Sequence, residues 1–187
     1  HFIHACRRNI DLTCILFNNS TYGMTGGQTS PTMALGDRST TARHGQVEPP
    51  FDLCRLAEAA GASFVARGTA AQARLIERLI KQGIQHKGFS FVEAVVPCPT
   101  EYGRRNAQKS PLEMLDNERA RSVTEAQAAK LSQEELAGKI VTGVLHLDEH
   151  APEFQQAYAA SARAQAEKAG TRVQIDVTQK PPVGEQK

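Results

Sequence analysis

Residues 12–17 read LTCILF, a short run that is apolar on both alternating faces. That pattern predicts a strand buried on both sides within a sheet. It stops at Asn18, and from there to about Pro50 the chain is polar and rich in Gly, Ser and Thr. A stretch this long without apolar periodicity predicts a functional loop. Pattern returns at residues 49–61, where two prolines, an N-cap at Asp52, apolar Leu53 and Leu56 and a stop at Gly61 define a helix. Residues 63–67 (SFVAR) predict a short strand. Residues 70–82 predict an amphipathic helix with Leu75, Ile76, Leu79 and Ile80 on one side and Gly83 closing it. Residues 89–96 (FSFVEAVV) predict the next strand, ending at PCPT. Strands alternating with helices in this way predict an α/β fold with a mainly parallel sheet.

Beyond Thr100 the pattern weakens. A basic stretch, YGRRNAQKS, precedes a short helix near residues 112–115, and residues 124–137 are helical and polar. KIVTGVLHL reads as a late strand or an extended arm, and residues 152–169 as an Ala-rich helix. The tail beyond Gly170 ends in QKPPVGEQK and is expected to be disordered. No internal repeat is present. At the other end, HFIHACRRNID reads as the close of an amphipathic helix, with Phe2, Ile3 and Cys6 on one face and Arg7 and Arg8 in the last turn. Because it begins so, without Met and without a signal or transit pattern, the chain is expected to continue upstream of His1. The expected division is residues 1–123 as a cofactor domain portion, 124–170 as a helical and extended arm contacting another subunit, and 171–187 as the tail.

Composition narrows the function. The 187 residues are 40% hydrophobic and 22% charged, with net charge +2. That balance gives no support for a nucleic-acid or membrane partner. No apolar run reaches the roughly 20 residues that span a bilayer. Cys6, Cys14, Cys54 and Cys98 form no CxxC pair and are too sparse for a disulfide scaffold, so a reducing, cytoplasmic setting is expected. Cys14 and Cys54 sit in apolar segments and read as buried, inert thiols. The histidines show no helical zinc-ligand spacing, which argues against a zinc hydrolase.

The candidate chemistry lies where the first strand ends. Ligands of open parallel sheets sit beyond the C-terminal ends of the strands. Asn18 and Asn19 stand there, and an amide oxygen suits a hard cation such as Mg²⁺. The glycines and hydroxyls of TYGMTGGQTSPT would let backbone approach a diphosphate. On the dipeptide alone a plain turn is the reading, since Asn tolerates left-handed backbone; it is the surrounding segments that favour a metal site. The tripeptide GGQ also occurs in ribosomal release factors, but its neighbourhood here lacks the basic residues of an RNA-facing loop. Arg104 and Arg105 read as a solvated basic turn, with coenzyme A phosphates or a partner subunit as the other reading.

Taken together, NNSTYGMTGGQTSPT, EPPFDLCRLAEAAGA, HKGFSFVEAVVPCPTEYGRRN and GVLHLDEHAPEFQQAY resemble the β subunit of 2-oxoacid:ferredoxin oxidoreductases, the 2-oxoglutarate branch above all. The likeness runs from His1 to about Ala160. It implies the C-terminal part of a thiamine diphosphate-binding fold. By that resemblance Asn19 is the side-chain Mg²⁺ ligand and the Thr21 carbonyl a second. Asn18, Tyr22, Gly23, Met24 and Thr25 lie along thiamine diphosphate, and Cys98 is one of four cysteines on a 4Fe–4S cluster. A Gly-Asp-Gly segment and the other three cysteines would precede His1. The implied reaction is oxidative decarboxylation of a 2-oxoacid to its acyl-coenzyme A, giving succinyl-CoA from 2-oxoglutarate. Electrons would pass through the cluster to ferredoxin. An α subunit and further small subunits are the implied partners. Pyruvate or another 2-oxoacid as substrate, or an inactive subunit-interaction fragment, are the alternatives.

Overall fold

The computed structural model describes residues 1–108 and 110–170; the expectation for the tail beyond Gly170 falls outside them. The chain opens with α1 (Phe2–Arg8), β1 (Leu12–Asn18) and a small hairpin, β2 (Thr21–Tyr22) with β3 (Gln28–Thr29). Then come α2 (Leu53–Ala59), β4 (Phe64–Thr69), a 3₁₀ turn (Ala70–Gln72), α3 (Ala73–Gln85) and β5 (Phe89–Val95). A π-helical turn (Pro99–Gly103) leads to α4 (Pro111–Arg121), β6 (Ser122–Thr124), α5 (Glu125–Ala128), α6 (Gln133–Leu136), β7 (Ile140–Leu147) and α7 (Phe154–Lys168).

The sheet has the order β1-β5-β4-β7-β6. β1 and β4 flank β5 in parallel, β6 and β7 are parallel, and β4 with β7 is antiparallel. The predicted α/β fold with a mainly parallel sheet is therefore what forms. On one face, α1 and α2 bury Cys6, Cys54 and Ala57 against Val65, Phe89 and Phe91. Phe2 meets the rings of Phe89 and Phe91 edge-on at 5.9 and 5.2 Å. On the other face, α3 lays Leu79, Leu75 and Ile80 on Phe64, Ala66 and Val92. Each large apolar side chain fully buried this way stabilises the fold by about 1.5–3 kcal/mol.

Several expectations need correction. The run at 12–17 is not doubly buried: β1 is one of the two edge strands among the described residues, with Leu12 48% and Phe17 68% exposed. Apolar alternation reports what a strand's faces prefer, not its place in the sheet order. Gly83 does not close α3, which continues to Gln85. It packs flat on β5, where an added Cβ would lie 3.2 Å from the Val92 Cγ2. At its start that helix gives its first turn to the 3₁₀ segment. Residues 124–137 form two single-turn helices, α5 and α6, each held by a capping box. Ile3 is exposed, so Phe2 and Cys6 alone of the predicted face turn inward. The segment read as strand or arm joins the main sheet as β7, and no helix among the described residues is long and apolar enough to cross a membrane.

Candidate cofactor site

The C-terminal ends of β1, β5 and β4 open into a cavity of about 400 Å³ whose floor includes Asn18, Asn19, Asp52, Arg67 and Glu93. The loop above it has internal order. Asn18 accepts from the Ser20 N–H through Oδ1 at 3.0 Å, and Ser20 takes left-handed backbone at φ 61°. Asn19 Oδ1 accepts a long bond, 3.3 Å, from the Thr21 N–H. An amide oxygen with one weak donor keeps a lone pair for a cation, so Asn19 fits the role of a neutral Mg²⁺ ligand. Thr21 is buried and its hydroxyl donates to the Gln28 carbonyl at 2.8 Å, closing the hairpin. At its tip the Thr25 hydroxyl donates to Gln28 Oε1, and Gln28 Nε2 donates to the Thr25 carbonyl, each at 2.7 Å. Tyr22 and Met24 are exposed there, Met24 completely. Farther along, Met33 is fully buried and anchors the loop.

The PCPT segment comes up against this loop. Glu101 packs on Gly27 and pairs with Arg105 at 2.6 Å. The Tyr102 hydroxyl donates to the Asp37 carboxylate, and burial with that bond pushes the phenol well above its usual range. Asn106 accepts from the Arg38 N–H at 2.7 Å and donates to its carbonyl at 3.1 Å. Arg105 is thus tied into the fold, while Arg104 is the solvated residue expected. Gly23 sits at the meeting point: a Cβ placed on it would lie 3.3 Å from Cys98 Sγ and 3.8 Å from Asn19 Nδ2. Of the residues singled out in the sequence, Asn18, Asn19, Gly23 and Cys98 come together, while Tyr22, Met24 and Thr25 stand on the exposed hairpin.

The remaining cysteines do not join Cys98. Cys6 and Cys54 lie in the core and Cys14 packs against it. Burial pushes the Cys6 thiol up to about 11, and raises Cys14 and Cys54 as well. These side chains are protonated packing groups, so the chain's own cysteines do not suffice for a four-thiolate cluster. Among the described residues no group of three or more His, Cys, Asp or Glu is placed to hold a metal.

A pair of residues in the floor escaped the sequence reading. Glu93 on β5, its side chain 4% exposed, accepts from Arg67 Nε on β4 at 2.6 Å. Arg67 reaches on to Asp52, the N-cap of α2, at 2.6 Å. Burial alone would raise the Asp52 carboxyl, but the Arg67 charge and the backbone bond from Arg55 hold it below its usual value. The available signal was a lone charge inside each apolar run, Glu93 in FVEAVV and Arg67 in FVARG.

Comparison with known proteins gives the family. The family described as thiamine pyrophosphate enzyme, C-terminal TPP binding domain, matches residues 1–94. The chain belongs to that family of thiamine diphosphate-binding domains. Within it, the chain is similar to β subunits of 2-oxoacid:ferredoxin oxidoreductases. It is 53% identical over 154 residues to the 2-oxoglutarate synthase subunit KorB of Methanocaldococcus jannaschii, covering 82% of this chain and 57% of the relative. To the same subunit of Archaeoglobus fulgidus it is 61% identical over 100 residues, 54% of this chain and 38% of the relative. A solved 2-oxoglutarate:ferredoxin oxidoreductase from Magnetococcus marinus, with 2-oxoglutarate, coenzyme A and succinyl-CoA bound, matches 94% of this chain and 59% of its own. Its TM-score is 0.72 at 27% identity. The chain spans little more than half of the first of these relatives.

Proposed function

We propose that this chain is part of the β subunit of a thiamine diphosphate-dependent 2-oxoacid:ferredoxin oxidoreductase. Its substrate is 2-oxoglutarate, coenzyme A takes the acyl group, and ferredoxin takes the electrons. In this reading Asn19 and the Thr21 carbonyl hold Mg²⁺, and Asn18, Tyr22, Gly23, Met24 and Thr25 shape or line the diphosphate loop. When bound, the cofactor stabilises the carbanion left by loss of CO₂. Cys98 is one ligand of a 4Fe–4S cluster, with the other thiolates from outside this segment. Residues 1–123 serve the cofactor and 124–170 meet an α subunit, in a cytoplasmic complex.

The observation that carries the reading is the contact at Gly23. The side chain suited to a magnesium ion and the side chain suited to an iron ligand both lie within 4 Å of where a Cβ on Gly23 would stand. A carrier of electrons needs such closeness to the group it oxidises. The test uses the complete enzyme complex and titrates thiamine diphosphate by calorimetry at saturating Mg²⁺. Asn19→Ala is expected to weaken binding by about tenfold, the loss of one charge-assisted contact. Unchanged affinity would remove Asn19 from the metal site.

A further inference from the structure

We infer that Glu93 is a positioning residue for the cofactor loop, acting by fixing which way round the Asn18 amide stands. The inference rests on the thiamine diphosphate reading of that loop and adds to it a control residue in the sheet below.

Arg67 can only donate, and a carboxylate can only accept. Arg67 Nε donates to Glu93 Oε2 at 2.6 Å, and the Cys54 thiol donates to the same oxygen at 3.4 Å. The remaining oxygen, Oε1, takes Asn18 Nδ2 at 2.7 Å. Asn18 is the one member of this chain of bonds whose two ends are interchangeable in shape. With its NH₂ group claimed by Glu93, its oxygen must face the loop. There it accepts from the Ser20 N–H at 3.0 Å and from the Thr32 hydroxyl at 2.7 Å. The first of these bonds holds Ser20 in left-handed backbone, and the second pulls in residue 32 from across the loop. Asn19 lies between the two tethered neighbours, so its direction of exit is set from below. The Asn18 oxygen carries two donors and has no lone pair left for a cation. Its part in the site is to aim Asn19.

Glu93→Gln keeps the shape and reverses the polarity. The oxygen of the new amide stays on Arg67, its NH₂ faces Asn18, and Asn18 must turn over. An NH₂ group then confronts the Ser20 N–H, which cannot accept. Asn18→Asp alone sets two carboxylates together. The double variant Asn18→Asp/Glu93→Gln restores every donor to an acceptor. The amide introduced on β5 donates to the carboxylate introduced at the end of β1, and Ser20 and Thr32 donate as before.

The experiment measures thiamine diphosphate affinity at saturating Mg²⁺ for the complete complex carrying each single variant and the double. Thermal unfolding is followed alongside. Each single variant is expected to bind about tenfold or more weakly, and the double to recover to within about threefold of the natural protein. A role that needs the carboxylate at position 93 itself, against Arg67, gives no such recovery, because the double moves that charge to position 18. Glu93→Gln binding as tightly as the natural protein overturns the inference. So does a double variant no better than the worse single, or one that fails to fold. Should both singles fail to fold, a folded double that binds supports the inference and a folded double that does not bind overturns it. A natural complex that binds no thiamine diphosphate at all overturns the underlying reading instead.

Discussion

Gly26 and Gly27 both hold left-handed backbone, at φ +110° and +78°, but their surroundings differ. A Cβ on Gly26 would find only Gln28 Nε2, at 4.0 Å, whereas one on Gly27 would collide with the carboxylate of Glu101. Alanine at either position carries the backbone cost, about 1–2 kcal/mol. At Gly27 it must also displace Glu101 from Arg105, across a half-buried pair. Gly27→Ala is therefore expected to lower stability more than Gly26→Ala, by about 1 kcal/mol further in urea unfolding. Measured against Glu101→Ala alone, which already lacks the pair with Arg105, adding Gly27→Ala should cost only the backbone term. Equal losses for the two glycines would show that Glu101 gives way freely and does not clamp the loop. The glycine-rich run was legible as a loop, but which glycine faces a neighbour depends on the PCPT segment, about seventy residues on in the chain.

Asn9 joins four elements at the far end of the sheet. It caps α1 in left-handed backbone at φ 48°, and its Oδ1 accepts from Ser63 Oγ and from the Phe89 N–H, each at 2.7 Å. Its Nδ2 donates to the Ala151 and Pro152 carbonyls, and its own carbonyl accepts from Phe154, the first residue of α7. His86 adds to this node through Nε2, 2.7 Å from the Ser63 oxygen, with its ring lying on Phe64. Burial lowers the His86 pKa below its usual 6.5, and the charges of Asp11, Glu149 and Asp148 only partly offset that. A lowered folded-state value means the neutral ring is favoured by folding. The contribution is whole above pH 6.5 and is lost as pH falls through the folded-state value. His86→Gln should flatten the decline in unfolding midpoint between about pH 7.5 and pH 5, while the natural protein weakens over that range. Identical slopes would exclude His86 as the source. None of this node was visible in the sequence, where Asn9 is one polar residue after two arginines. Helices and strands were legible because periodicity and caps are local: Asp52 does accept from Cys54 and Arg55 N–H groups. What joins elements depends on strand order, which a local pattern does not encode. The same limit hid the edge position of β1 and the pairing of Glu93 with Arg67.

The whole molecule is polarised along its strands. β1 begins just after the Asn9 node and ends at Asn18 and the cofactor loop, seven residues away along the strand, or roughly 20 Å at about 3.3 Å per residue. One end of the sheet fastens α1 and α7 to the core, and the other end carries the groups that would meet a ligand. The two share no side chain or hydrogen bond among the described residues, and the buried centre of β5 and β4 stands between them. Stability and ligand binding should therefore separate. Asn9→Ala strands the buried Phe89 N–H, leaves Ser63 with His86 as its side-chain partner, and frees the Ala151 and Pro152 carbonyls, and is expected to cost about 2–4 kcal/mol in unfolding free energy. It should leave thiamine diphosphate affinity within about twofold, provided binding is measured below the lowered melting temperature. Asn19→Ala should do the reverse, weakening the cofactor while the ligand-free protein melts as before. Combined, the two changes should add within about 0.5 kcal/mol on each scale. A cofactor affinity that falls with Asn9→Ala would mean that the sheet transmits strain from one end to the other. The loop at Asn19 would then be held by the fold as a whole and not by the polar strip directly beneath it.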